Sequence, residues 1–181
     1  NKSLELSLFL SLPATLALIF ASEEIVSALF GYGSFNEESV KNSALALFYF
    51  ALGLPAFSMI KIFSSFIFAR NDTKTPFYFS LISVIMNIVI SLSLFSKLGF
   101  IIIPIATTIS SWLNGFLLMI FVLNKNYFNF NNLFFIQLFK ISIANLICLG
   151  LFKILINYFG NYFIFLNSYK FLAIISLVLL T

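Results

Sequence analysis

Arg70-Asn71-Asp72-Thr73-Lys74-Thr75-Pro76 is a polar hinge between two long apolar runs, and it carries three of the chain's sixteen charged side chains (ten Lys and Arg, six Asp and Glu). Nine residues upstream, Lys61 lies between Ile60 and Ile62, a setting in which a bilayer makes a cation costly. A charged joint with uninterrupted apolar sequence on both sides predicts two membrane-crossing helices that meet at one membrane surface. The remaining sequence is consistent with that reading.

Hydrophobic residues make up 61% of the 181 positions and charged residues 9%, with a mean hydropathy of +1.09. A soluble domain carries about 25% charged residues, so the chain reads as an integral membrane protein. No polar stretch is long enough to build a soluble domain. The net charge of +4 is thinly spread and has no arginine-rich tract, which excludes a nucleic-acid partner and leaves membrane lipids with anionic headgroups as a surface partner. Cys148 is the single cysteine; it rules out an intrachain disulfide framework and reads as a small core or lipid-facing residue. Histidine is absent, which removes the usual general base and the commonest metal ligand. The chain begins at Asn1 with no initiator Met or signal-peptide n-region and stops at Thr181 inside an apolar run, so it is expected to be a fragment of a larger membrane protein.

A crossing helix needs about 20 mainly apolar residues. The runs here are long and do not alternate, so they read as helices and not barrel strands. Six are expected, giving an all-α polytopic transmembrane bundle. The first runs from Leu4 to Phe30, with Pro13 kinking it or starting it after a short interfacial entry, and Glu23-Glu24 solvated near its far end. Ser34 and Glu37 fit a capping box for the second helix, Glu37 to Ala69. Gly53 and Pro55 lie near the middle of that helix and permit a bend. Ser58, Lys61 and Ser65 fall on one face, giving the lysine a polar track toward a cavity or another helix. Thr75-Pro76 reads as N-cap and first position of the third helix, Pro76 to Phe95. The fourth, Phe100 to Leu123, contains Pro104, Thr107-Thr108, Ser110-Ser111, Trp112 and Asn114, a hydroxyl cluster that marks close helix packing. A fifth, Leu133 to Tyr158, carries Gln137, Lys140, Asn145 and Lys153, and both lysines can snorkel. An aromatic belt from Tyr158 to Phe165 precedes a sixth helix. Placing the hinge in the cytoplasm sets Lys2, Arg70, Lys74 and Lys125 inside against Lys41, Lys97 and Lys170 outside, a weak positive-inside bias.

The chemistry is set by what is missing as much as by what is present. There is no HExxH, CxxC or phosphate-cradling glycine loop, and the acidic residues (Glu5, Glu23, Glu24, Glu37, Glu38 and Asp72) form no pair that the sequence brings together. No enzyme activity, metal or cofactor is expected. Transport needs cavities, bends and a few charges at depth, and Lys61 with the Gly53-Pro55 bend supplies two of these. Arg70 and Asp72 form either a local ion pair or an anchor at the headgroups.

These residues resemble the MurJ (MviN) lipid II flippases. The likeness rests on Leu12-Pro13-Ala14-Thr15, Leu52-Gly53-Leu54-Pro55-Ala56-Phe57, Lys61 and Phe68-Ala69-Arg70-Asn71-Asp72-Thr73-Lys74-Thr75-Pro76. Gly33, Phe35, Ser83-Val84-Ile85-Met86-Asn87 and Ser111-Trp112-Leu113-Asn114 also fit. It covers Leu4 to Leu123; the last two helices match by position and hydrophobicity only, and Glu23-Glu24 stands where many members have Glu-Pro. The resemblance implies a two-lobed exporter of fourteen helices in the bacterial inner membrane. Residues 1–124 would supply four helices of the second lobe and 125–181 the two C-terminal helices, with the N-terminal lobe missing. It implies that the undecaprenyl-linked peptidoglycan precursor lipid II is moved between leaflets by alternating access, and that Lys61, Arg70 and Asp72 act in substrate binding or gating while Gly53, Pro55, Thr75 and Pro76 shape hinge and cap. The alternatives are export of another polyprenyl-linked glycan or amphiphile, or a non-transporting membrane scaffold.

Overall fold

A computed structural model of the chain describes residues 2–33, 35–127 and 132–159. The described part is helical: α1 (Lys2–Phe20), α2 (Ser22–Phe30), α3 (Glu37–Ala51), α4 (Leu54–Phe68), α5 (Lys74–Leu98), α6 (Ile102–Asn124) and α7 (Asn132–Phe159), with one 3-10 turn at Gly99–Ile101. Segments long and apolar enough to cross a membrane are Lys2–Phe20, Glu37–Phe68, Lys74–Asn124 and Phe134–Leu151. The third of these is the α5–α6 hairpin, long enough for two crossings. The expected sixth helix and the side chains of the expected aromatic belt lie outside the described residues.

Two apolar clusters locate the ends of the bundle. At one end Leu4 of α1, Phe63 and Ile67 of α4, Leu118 and Val122 of α6 and Phe134 of α7 are buried together. At the other, Val26 of α2 packs with Val40 and Ala44 of α3. The first end carries Lys2, Arg70, Lys74 and Lys125, and the second carries Glu23, Glu24, Glu37 and Glu38. Antiparallel pairing of α5 and α6 is fixed by Phe79 against Phe121 (ring centroids 6.0 Å apart) and by Asn87, whose side-chain amide donates to Thr107 Oγ1 at 3.1 Å and Ser110 Oγ at 3.3 Å. Gly99 has φ +60°, a left-handed conformation that glycine takes without Cβ strain, and it stops α5 so that the chain can reverse. Much of α5 is exposed, including Phe77, Leu81, Ile82, Ile85, Val89 and Leu92. Only lipid or further helices can cover such a surface.

Three expectations change. The first apolar run is not one helix: Pro13 lies inside α1, and the break comes instead at Ala21 (φ −118°, ψ 22°). Ala21 N still donates to Ala17 O and Ile25 N to Ala21 O, so the ladder turns without being emptied. Ser22-Glu23-Glu24 then opens α2 with two carboxylates at its positive end. The cap of α3 is Asn36, whose side chain accepts from Ser39 N at 2.8 Å; Ser34 lies outside the described residues. Thr75 and Pro76 do not begin α5. Lys74 is its first residue and Thr73 the N-cap position, and the first-turn donors go to Asp72. Its carboxylate accepts from Lys74 N at 3.1 Å, Thr75 N at 3.0 Å and Thr75 Oγ1 at 2.7 Å. Pro76 follows with no N–H to satisfy, so the first turn is almost fully provided for.

Candidate transport site

The second apolar run is interrupted at Leu52-Gly53, between α3 and α4, and α6 braces the interruption. Gly53 N turns to Phe50 O at 2.9 Å, which releases Tyr49 O from the ladder, and Pro55 has no N–H to offer. Thr108 Oγ1 donates to the freed Tyr49 carbonyl at 2.6 Å, and Trp112 Nε1 donates to Leu52 O at 3.1 Å. A carbonyl left bare in hydrocarbon costs several kcal/mol or so, which explains why a broken membrane helix recruits side chains from its neighbour. Gly53 sits close enough to α6 that a Cβ there would lie 3.2 Å from Thr108 Oγ1. Within the hydroxyl cluster of α6, Thr108 repairs the broken backbone, while Thr107 and Ser110 accept from Asn87 of α5 and line the groove with Ser111.

Below the bend, α4 and α5 splay apart over α6 and leave a groove of about 450 Å³. Phe57 and Ile60 of α4, Ser80, Ser83 and Asn87 of α5, and Ser111 and Asn114 of α6 line it. Asn114 is 8% exposed; its amide nitrogen donates to Ser80 Oγ at 3.4 Å, while its Oδ1 is buried with no partner.

Lys61 is exposed on α4, on the same face as the exposed Phe57 and Ser65. Ser58 leaves that stripe. It turns toward α1, where its hydroxyl reaches Ser11 Oγ at 3.5 Å while donating to Pro55 O at 2.8 Å. Lys61 has no hydrogen bond or ion pair among the described residues, where the ion pair present is Lys41–Glu37. Nine residues of helix put it roughly 13 Å from the Arg70 end.

Arg70 and Asp72 are not an ion pair. Asp72 caps α5, and the Thr75 hydroxyl, followed by the Thr75 amide, holds its carboxyl below the usual carboxylate range. The guanidinium of Arg70 lies over two rings, 4.7 Å from the Phe66 centroid and 3.8 Å from that of Tyr127. The Tyr127 contact was not foreseen. It becomes possible because α4 and α6 end in the same way: Asn71 (φ 60°) and Asn126 (φ 53°) are left-handed. Asn71 N donates to Phe68 O and Asp72 N to Ile67 O; Asn126 N donates to Leu123 O and Tyr127 N to Val122 O. These are twin Schellman closures with asparagine in the place glycine usually takes. The sequence signal was an Asn just past each apolar run. Lys61 is not brought into contact with either Arg70 or Asp72.

Comparison with known proteins agrees with this architecture. The family model described as "Lipid II flippase MurJ" matches residues 1–174. A protein of Rhizobium meliloti is 45% identical over 118 residues (65% of this chain, 22% of that protein). One of Thermotoga maritima is 36% identical over 139 residues (77% and 28%). Both carry the name "Probable lipid II flippase MurJ". A solved structure of the lipid II flippase MurJ in an inward closed conformation superposes with a TM-score of 0.79 at 25% identity, over 99% of this chain and 36% of its own. The chain therefore spans about a quarter of the length of the curated relatives it matches. With a family model over nearly its whole length, the chain belongs to the MurJ family of lipid II flippases.

Proposed function

We propose that this chain works as the second-lobe and C-terminal part of a flippase that carries lipid II from the inner to the outer leaflet of the bacterial inner membrane by alternating access, with no catalytic step. Residues 1–124 form the lobe wall, and 125–181 belong to the C-terminal helix pair. The Arg70 end faces the cytoplasm. The observation that carries the reading is Lys61, an exposed cation within an apolar helix, with no ion pair among the described residues and next in sequence to Ile60, which lines the groove between α4, α5 and α6. An ammonium in that position serves a phosphate or carboxylate of the headgroup. Arg70 and Asp72 contribute at the cytoplasmic gate, Asp72 through the cap of α5. Gly53 and Pro55 supply the bend.

The test is made on the full-length protein in cells without a redundant flippase. Depletion leaves lipid II on the inner leaflet, and normal outer-leaflet lipid II after depletion would refute the reading. Lys61→Ala lowers outer-leaflet lipid II roughly tenfold or more at unchanged protein level, the scale of one lost charge-assisted bond. A scaffold without transport predicts no change.

A further inference from the structure

Asn145 of α7 is a polar side chain that packing alone does not account for. It is 6% exposed, and its Nδ2 is buried with no hydrogen-bond partner among the described residues. An amide N–H without an acceptor is costly in a low-dielectric interior. At this level α7 packs on α1. Asn145 lines a cavity of about 220 Å³ there with Pro13, Ala14 and Ala17 of α1, and with Leu149 and the exposed Cys148 of α7. A cavity of about 150 Å³ takes a benzene ring, so this one has room for a single substituted ring. Its depth follows from the helices. Leu4 and Phe134 are buried together at the Arg70 end. Pro13 lies nine residues along α1 from Leu4 and Asn145 eleven along α7 from Phe134, roughly 13 and 16 Å at the helical rise. The hydrocarbon layer is about 30 Å thick, which puts the cavity near its middle.

Three features of the lining define the ligand. It holds no cation, so nothing in it recognises a phosphate or carboxylate. Nδ2 is a donor and requires an acceptor oxygen. A hydroxyl would bring its own proton, which a thiol sulfur accepts only weakly, and one hydroxyl cannot serve both ends of the same amide with good geometry. A carbonyl has no such proton to place. The ester carbonyls of a glycerolipid are held at the edge of the hydrocarbon by their polar headgroup, so the carbonyl belongs to a molecule that travels through the middle of the bilayer. We propose that the cavity between α1 and α7 is a binding site for a membrane-soluble quinone, one ring carbonyl accepting from Asn145 Nδ2 and the ring lying against Ala14, Ala17 and Cys148. The site needs only these two helices and does not depend on lipid II being translocated.

Purified full-length protein in neutral detergent is titrated with decylubiquinone, with its quinol, with decanol and with dioleoylglycerol, reading bound ligand by native mass spectrometry and the shift in unfolding temperature. Wild type binds the quinone roughly tenfold or more tightly than the quinol, the alcohol or the diester. Asn145→Leu, close in volume and without the buried N–H, folds at least as stably and weakens quinone binding roughly tenfold. Ala17→Phe fills the cavity and abolishes binding with the amide intact. Cys148 supplies an independent readout in full-length protein that keeps it as the sole cysteine: the quinone slows its alkylation by N-ethylmaleimide in wild type and not in Asn145→Leu. Equal quinone binding by wild type and Asn145→Leu overturns the proposal, as does equal binding of quinone and quinol, or wild type that binds no quinone. Preference for decanol or dioleoylglycerol also overturns it, and identifies an ordinary lipid as the occupant. If either variant does not fold, Cys148→Phe, at the exposed rim of the cavity, closes it instead and provides the same test. Loss of quinone binding with intact flipping leaves the proposed function standing, and the reverse outcome leaves this site standing.

Discussion

Gly53→Ala tests whether the bend in the second span is held by contact with α6 or by backbone freedom. Gly53 has φ −84°, which any residue adopts, so the substitution does not force a forbidden conformation. A methyl group there would lie 3.0 Å from Phe57 Cε2, 3.2 Å from Phe50 O and 3.2 Å from Thr108 Oγ1. The phenyl edge can swing aside. The other two cannot: Phe50 O is backbone accepting from Gly53 N, and Thr108 Oγ1 is held at 2.6 Å by Tyr49 O. Replacing glycine gains about 0.4–1 kcal/mol from the unfolded chain, while forcing a methyl into a full site costs about 1–3 kcal/mol. The contact term is larger, so Gly53→Ala destabilises by about 1–2 kcal/mol in net. Thr108→Ala alone loses an interhelical bond of about 0.6–1.7 kcal/mol. It also removes the atom that the new methyl strikes, so the double variant loses less than the sum by at least about 0.5 kcal/mol. The measurement is reversible unfolding of the full-length protein in mixed micelles, completed as a double-mutant cycle. A neutral or stabilising Gly53→Ala, or strict additivity with Thr108→Ala, refutes the reasoning.

Other expectations follow from the same geometry. Asn71→Ala places a Cβ residue without side-chain relief at φ 60° and destabilises by about 1 kcal/mol or more in thermal unfolding, whereas Asn71→Gly is tolerated. Trp112→Phe keeps the ring but leaves Leu52 O without its donor, lowering stability by about 0.6–1.7 kcal/mol in the same micelle assay. Asp72→Asn concerns pH. The folded-state pKa of Asp72 is depressed, so its contribution is fully present above the unfolded value of about 3.9 and is lost as pH falls through the lower folded value. The unfolding midpoint of Asp72→Asn therefore lies below wild type at neutral pH, and the gap closes below about pH 4; a constant gap across that range contradicts the capping role.

How much of this could be read from sequence depends on which physical signal each feature leaves. Spans are legible because hydrocarbon demands about 20 apolar residues whatever the tertiary context. The Gly53-Pro55 bend is legible because a missing N–H is a property of proline itself. The Ala21 break is not: no glycine or proline marks it, and its hydrogen bonds continue on both sides. Only Ser22-Glu23-Glu24, an acidic helix start, hints at it. At the hinge, sequence reasoning gave capping to Thr75 because Thr-Pro commonly opens a helix. The structure gives it to Asp72, three residues back, because a carboxylate can serve two amides and a hydroxyl at once. Helix starts shift easily by one or two residues, and the group with the most acceptor capacity decides where the donors go.

Charge shows most clearly what the linear order hides. Counted along the sequence, the basic residues divide almost evenly between the two membrane faces. Once folded, the hairpins carry Glu23, Glu24, Glu37 and Glu38 to one end, leaving Lys2, Arg70, Lys74 and Lys125 at the other. All six acidic side chains of the chain are then placed: four at that end, Asp72 spent on a cap, and Glu5 facing the Gln137 amide on α7. None stands beside Lys61. An ammonium at this depth is tolerated only if something compensates it, so its counter-charge has to come from outside these helices, from a bound anionic headgroup or from another helix that closes over α4. The two sources predict different behaviour. A helix carboxylate makes Lys61→Met destabilising in the resting protein, because it strands the partner charge. A substrate anion leaves the resting protein as stable as wild type and removes only transport, and that second pattern is the one expected here.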